Sequence, residues 1–580
     1  MTEQESSHRR TGTARRVAAG LSLALLLSTL AMAGASKAPV RAKNGMVVSS
    51  QHLASQVGVD VLEKGGTAID AAIATGFALA VTLPSAGNIG GGGFILVRTA
   101  VGEVTAFDFR EKAPAAAHER MFLDEKGEYS APTNHVGYLS IGVPGTVAGF
   151  LLAHERFGKL PMEELLAPAI ELAEKGFPVS WRLADRFRRT APRFRQYSAT
   201  AEAFLKEDGE PYQPGEVWKQ PDLARTLRRI QNKGWAGFYQ GETARLLAAA
   251  MKKHGGLITE EDLAAYEAKE RTPVHGTYRG YDVYSMYPPS SGGVAVLEML
   301  NILECFDLAE AGFGSALHLH LLAEAMRRTF ADRARYIGDP DFNSDMPVER
   351  LISKDYARSL RRTISLSHVS ESDPVSFNDV YESDETTHYS VIDAQGNAVV
   401  VTYTLERGFG SKIVAEGTGF LLNNEMGDFN PQPGRTDRTG LIGTKPNLVE
   451  PGKRMISSMT PTIVVKDDRP FLLIGTPGGR TIMNTVLQVI VNVIDFKMDI
   501  AEAIAAPRIH HQWLPNELRI EKFGASPDTV RLLEMLGHQV RISEGSRSQG
   551  RAMGIMVDPE TGMLKGAADP RAADGGAVGY

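Results

Sequence analysis

The tightest constraint in the sequence is a boundary. Residues 365–385 are rich in Ser, Asp and Glu and poor in apolar side chains, and they run directly into Thr386-Thr-His-Tyr-Ser-Val-Ile392. The first stretch has the composition of an exposed, mobile connector. The second is β-branched and aromatic, which suits a buried strand. Ala394-Gln-Gly-Asn397 is a turn, and residues 398–405 are dense in Val and Thr, so the pair predicts a β-hairpin. Further strands are predicted over 462–466 and 471–475, followed by an apolar helix over 482–494. Before the boundary, apolar residues recur at spacings of three and four. They predict helices over 51–62, 68–81, 147–157, 161–174, 220–233, 243–253 and 317–336, with short strands at 94–98, 104–108 and 281–284. A strand-rich final third bordered by helices predicts an α+β architecture of stacked sheets flanked by helices.

Composition narrows the function. The 580 residues are 43% hydrophobic and 23% charged, which excludes a disordered or polytopic membrane chain. A net charge of −6 argues against a nucleic-acid partner. The single cysteine, Cys305, excludes an intramolecular disulfide and any Cys-rich metal site. It lies in an apolar stretch and is expected in the core. Neither His318-Leu-His320 nor His510-His511 has the frame of a metal site.

The N-terminus reads as an address. Arg9, Arg10, Arg15 and Arg16 precede an uncharged, leucine-rich run over residues 17–36 that closes on Ala31, Ala33, Gly34 and Ala35. This is the pattern of a secretory signal peptide over residues 1–35. Export across an inner membrane to the periplasm is expected. The alternative is a membrane anchor formed by residues 17–36.

Six short segments could carry chemistry. A break between Glu385 and Thr386 would free an α-amine beside the Thr386 hydroxyl and join nucleophile and base in one residue. The other reading is a strand that simply starts with β-branched residues. Gly478-Gly479, between a strand and a helix, offers either backbone N–H groups to an oxyanion or merely a tight turn. Gly90 to Gly93 precede a strand and suggest close backbone approach. Asn423, Asn424, Glu425 and Asp428 could hold an ammonium group or form a polar loop. Arg110 suits a carboxylate but also a surface ion pair. Ser457 and Ser458 say little alone.

Taken in order, these segments closely resemble the γ-glutamyltransferases, also called γ-glutamyl transpeptidases or glutathione hydrolases. The likeness rests on Thr386 to Asn397 with Thr402-Tyr-Thr404, on Phe107 to Pro114, Leu421 to Phe429, Ser457 to Pro461 and Pro477-Gly-Gly479, and on Pro288 to Gly293, Ala568 to Arg571 and Gly579-Tyr580. It extends from about Asn44 to Tyr580. The resemblance implies an N-terminal-nucleophile hydrolase fold, a four-layer αββα sandwich. It implies self-cleavage before Thr386 into a large subunit (residues 36–385) and a small one (386–580), which stay together as one interleaved heterodimer.

The resemblance also implies roles. Thr386 is the nucleophile and Thr404 supports it. Gly478 and Gly479 form the oxyanion hole. Arg110, aided by Ser457 and Ser458, takes the α-carboxylate of a γ-glutamyl group. Glu425, Asp428 and Glu406 take its α-ammonium. Many relatives have Asn at position 406 and Gln at 425. The donor would be glutathione or a similar γ-glutamyl compound, and water, an amino acid or a peptide the acceptor. No metal or organic cofactor is implied. Residues 431–453 resemble a lid over the donor site, with Thr439 near the place of an aromatic lid residue, so a less complete closure is expected. The nearest rival is an acylase of the same fold acting on glutaryl side chains. A binding protein that never processes is a more distant one.

Overall fold

The computed structural model describes residues 36–129, 133–372, 386–435, 443–543 and 549–580. The signal segment, Glu385 and Thr439 lie outside these ranges. Two seven-stranded sheets dominate. In the first, the strands run in the order Gly576–Gly579, Met46–Ser49, Thr387–Ile392, Ala398–Thr404, Gly92–Arg98, Val104–Asp108 and Lys269–Arg271. In the second the order is Val40–Ala42, Leu564–Ala568, Met553–Val557, Arg469–Gly475, Thr462–Lys466, Tyr281–Ser285 and Val274–Tyr278.

Period-two burial shows how they stack. Met46, Val48, Phe94, Leu96, Ile392, Ala398 and Val400 of the first sheet meet Ile463, Val465, Leu473, Met553 and Ile555 of the second in one apolar cluster. The alternate residues Val47, Ile95, Val97, Val391, Val399 and Val401 face a separate core. That core includes the helices Ala68–Thr82, Thr146–Phe157 and Met162–Lys175. Outside the second sheet lie Gly292–Leu303, Ala316–Tyr336 and Thr481–Ile494. The result is the four-layer αββα sandwich. Both faces of the central strands are covered, so they read as unbroken hydrophobic runs.

Helix starts follow local chemistry. Thr67 accepts from the Asp70 amide at 3.2 Å, while Asp70 accepts from the Thr67 amide at 2.9 Å. This capping box opens a helix buried along its whole length.

Each sheet mixes strands from before and after Thr386. The predicted hairpin forms, with Thr387 opposite Tyr403 and Ile392 opposite Ala398. Gly90 to Gly93 lie where backbones nearly touch. A Cβ on Gly91 would stand 2.0 Å from the Thr404 carbonyl oxygen, and one on Gly93 2.4 Å from that of Thr402. Gly91→Ala is therefore expected to destabilise the protein by about 1–3 kcal/mol, read from its denaturation midpoint.

Two expectations need correction. Cys305 is exposed rather than in the core, because the Gly292–Leu303 helix has ended and the chain turns outward. The connector is also not loose along its whole length. The Ser370 amide and hydroxyl donate to Glu324 at 3.2 and 2.5 Å, and the Val369 amide to the Leu536 carbonyl at 2.8 Å. Residues 373–385 lie outside the described ranges.

Candidate active site

Thr386 immediately precedes the central strand Thr387–Ile392 and is 6% exposed. Its Oγ1 donates to Thr404 Oγ1 at 3.4 Å, across the hairpin. Thr404 Oγ1 also accepts from the Glu406 amide at 2.9 Å. That contact accompanies a sharp bend, since Glu406 has a left-handed φ of 77°. Such strain in a non-glycine residue costs about 1–3 kcal/mol and gathers at functional sites. Asn88 supports the same point from behind: its Nδ2 donates to the Thr404 carbonyl at 2.9 Å, and its Oδ1 accepts from Gly91 N at 2.9 Å and Thr146 Oγ1 at 2.8 Å. Thr404→Val removes the hydrogen bonds from both Thr386 and the Glu406 amide and should slow self-cleavage by about tenfold or more, followed on gels as loss of the precursor.

His388 is the histidine nearest in sequence to Thr386, and it is unsuited to be the base. It is fully buried, with Nδ1 2.8 Å from Thr402 Oγ1 and Nε2 3.2 Å from Ser390 Oγ. Burial pushes its pKa down to about 3.

Gly478 and Gly479 follow the strand Arg469–Gly475 and precede the helix Thr481–Ile494. Their φ values are 140° and 55°, conformations that glycine adopts without strain. Their carbonyls accept from Thr481 N and Ile482 N at 3.1 and 3.0 Å, which closes the turn.

Thr386, Thr404 and Gly479 share a pocket of about 250 Å³, including its mouth, with Arg110, Glu406, Glu425, Asp428, Ser457, Ser458, Met459 and Ile482. Of the described residues to which the resemblance assigns a role, all line it except Gly478, the neighbour of Gly479. Asn423 and Asn424 do not line it. Asn423 instead ties Gly90 and Gly142 together, and Asn424 accepts from Arg407 N at 3.2 Å. The expected polar loop is a buried 3₁₀ turn, Glu425–Asp428.

The acidic end of the pocket surrounds Arg110. Its Nη1 meets Glu425 at 2.6 Å and Glu111 at 3.4 Å, and its Nη2 pairs with Asp428. Nε donates to the Met455 carbonyl at 3.4 Å and Nη2 to the Ile456 carbonyl at 3.1 Å. Four of these contacts, to Glu111, Asp428, Met455 and Ile456, are hydrogen bonds, and the one to Glu425 is an ion pair without hydrogen-bond geometry. Three carboxylates around one cation leave excess negative charge in a buried place. Burial, opposed by Arg110 and reinforced by neighbouring carboxylates, pushes Glu111 up to about 8 and Glu425 well above the usual range. Glu406 stands nearby, 3.4 Å from His135 Nδ1 and 3.6 Å from Arg407 Nε.

Other residues hold this end in place without a legible sequence signal. Asn447 donates to the Asp428 carbonyl at 2.7 Å and accepts from the Ile456 amide at 2.9 Å, which fixes the acidic turn beside the serines. Arg333, on the Ala316–Tyr336 helix, reaches Ser291 Oγ at 2.8 Å and Ser458 Oγ at 3.2 Å. A lone Arg within a helix and a lone Asn in a loop resemble ordinary surface residues until the fold brings them together.

A buried threonine at a strand start, backed by a second threonine and facing a glycine turn, defines an N-terminal-nucleophile hydrolase once the bond before it is cut. Comparison with known proteins makes the class specific. The family model described as Gamma-glutamyltranspeptidase matches residues 54–579. The glutathione hydrolase proenzyme of Escherichia coli (strain K12) is 49% identical over 544 residues, covering 93% of each chain. That of Pseudomonas sp. (strain A14) is 46% identical over 573 residues, covering 96% of this chain and 99% of its own. The crystal structure of cephalosporin acylase from Bacillus halodurans superposes with a TM-score of 0.83 at 31% identity, covering 95% of this chain and 98% of that one. The chain belongs to the γ-glutamyltranspeptidase family.

Proposed function

We propose that the chain is a precursor that cuts itself before Thr386 and then, as a two-subunit enzyme, cleaves the γ-glutamyl amide bond of glutathione and related donors. The observation that carries this reading is the shared pocket, lined by Thr386, Thr404 and Gly479 together with Arg110, Glu425, Asp428, Ser457 and Ser458. In the precursor, Thr386 Oγ attacks the Glu385 carbonyl, the acyl group shifts from nitrogen to oxygen, and water hydrolyses the ester. The products are a large subunit of residues 36–385 and a small one of 386–580, whose strands already share both sheets.

The freed α-amine is then the general base. It takes the Thr386 Oγ proton as the oxygen attacks the γ-carbonyl. The Gly478 and Gly479 N–H groups stabilise the oxyanion. The C–N bond breaks, the proton passes to the leaving amine, and a γ-glutamyl ester remains on Thr386. Water releases glutamate, or an amino acid or peptide takes the group. Thr404 orients the nucleophile. The substrate ammonium enters among Glu406, Glu425 and Asp428, where its charge favours the ionised form of Glu425. Ser457 and Ser458 meet the α-carboxylate, which reaches Arg110 by replacing one of the carboxylates now on it.

Residues 1–35 direct the precursor across the inner membrane to the periplasm. No helix among the described residues is long and apolar enough to cross a membrane. Residues 431–453, of which 431–435 and 443–453 are described, are the segment that the resemblance assigns to a lid. Within it the Thr444 carbonyl accepts from Asn430, just before the segment, at 2.7 Å.

The cephalosporin acylase likeness keeps the glutaryl reading as the alternative. A glutaryl donor lacks the ammonium and leaves the acidic end uncompensated. A γ-glutamyl anilide is therefore expected to exceed a glutaryl anilide by about 100-fold or more in kcat/KM. Equal or reversed values would select the acylase reading.

A further inference from the structure

The carboxylate end of the pocket presents a problem of charge. A γ-glutamyl donor brings an α-carboxylate, and Arg110, the one cation that lines the described pocket, already makes four hydrogen bonds to protein oxygens and an ion pair with Glu425. Its partners include the side chains of Glu111, Glu425 and Asp428. An anion approaching Arg110 therefore meets Glu425 and Asp428 as well as the guanidinium. Part of the potential it needs must come from another group.

The serines point to that group. Ser457 Oγ accepts from the Met459 amide at 3.1 Å, and Ser458 Oγ accepts from Arg333 Nη2 at 3.2 Å. A hydroxyl has one proton and two lone pairs. When a guanidinium occupies a lone pair, the proton turns away from it and is polarised by the positive charge. Ser458 lines the pocket and Arg333 does not. Arg333 is only 4% exposed, so its charge acts through protein rather than through water. Its position is built. Nε donates to Ser291 Oγ at 2.8 Å, and the Ser291 hydroxyl and amide each donate to the Ser457 carbonyl at 2.7 Å. One guanidinium is thereby joined to both serines, to one through a side chain and to the other through its backbone.

We propose that Arg333 is a positioning and charge-supplying residue for recognition of the donor's α-carboxylate: it sets the Ser458 hydroxyl as a donor toward the pocket and adds positive potential to that of Arg110, which Glu425 and Asp428 partly offset. The inference rests on the γ-glutamyl reading of the site and assigns to it a residue outside the pocket wall.

The test uses competitive inhibition of γ-glutamyl-p-nitroanilide turnover by the mature two-chain enzyme. L-Glutamate carries all three charged groups. 4-Aminobutanoate keeps the amine and the γ-carboxylate and lacks only the α-carboxylate. Inhibition constants do not depend on how much of a variant has folded. In Arg333→Gln the constant for L-glutamate should rise tenfold or more, while that for 4-aminobutanoate stays within twofold. KM for the anilide should rise with the glutamate constant, and kcat should change less than threefold. Arg333→Lys, which keeps the charge and loses the fork, should fall between. Equal weakening of both inhibitors in Arg333→Gln and Arg333→Lys, or no weakening of either, overturns the role of Arg333. Failure of the γ-glutamyl reading looks different: the wild-type enzyme itself would bind L-glutamate no better than 4-aminobutanoate.

Discussion

Thr386→Ala should leave the precursor as one chain and reduce γ-glutamyl anilide turnover by at least about 10³-fold. Two functions are expected to fail together because the same hydroxyl is proposed to perform both. Its surroundings supply no substitute. The described pocket lining contains no lysine or histidine. His388, two residues on, is locked between Thr402 and Ser390 and neutral at any working pH. Thr386→Ser keeps the hydroxyl and should still process, more slowly, because the missing methyl frees the χ1 rotation. The measurements are denaturing gels for the cut and nitroaniline release for turnover. An alanine variant that still cuts would move the nucleophile elsewhere.

Arg110→Met should cost about 3–5 kcal/mol of stability in a denaturant titration, since it strands buried carboxylates without their cation. Glu111 and Glu425 are fully buried, and both depend on this guanidinium. The pH dependence has a definite sign. Burial raises Glu111 from 4.5 to about 8 even with Arg110 present. Between those values the folded protein holds a proton that the unfolded chain has released, so the contribution of Glu111 is full below pH 4.5 and is lost as pH rises through 8. Without Arg110 the carboxyls move further up, and the deficit of Arg110→Met should shrink on acidification. Adding Glu425→Gln should recover part of it at neutral pH. A loss below about 1 kcal/mol that does not vary with pH would mean that the carboxylates are solvated and the cluster is not the buried charge imbalance described here.

Much of this was legible in the sequence, for reasons that differ by element. The helices at Ala68–Thr82 and Pro221–Lys233 carry a capping box and an N-terminal proline, both local signals. The hairpin of Thr387–Ile392 and Ala398–Thr404 declares itself through its turn. The strands Met46–Ser49, Met553–Val557 and Gly576–Gly579 were not legible. They are short, and their partners lie far away in sequence: Val47 pairs with Val391 and Val578. Cys305 failed in the other direction, since an apolar neighbourhood in sequence did not place it inside.

The candidate site divides the same way. Gly90 to Gly93 could be read as close backbone contacts because only glycine fits there. Asn88, Asn447 and Arg333 act through single contacts to distant segments, and no spacing rule marks such residues. Nor could the sequence show that Arg110 would be enclosed by three carboxylates, since Glu425 and Asp428 lie more than 300 positions away and reach it only through a 3₁₀ turn.

The central claim is that Thr386 becomes an N-terminus. Intact mass spectrometry of the purified wild-type protein, under denaturing conditions, tests it most directly. Two chains are predicted, with the smaller mass matching residues 386–580. A single uncut chain, or a small chain beginning at any other residue, would contradict the account.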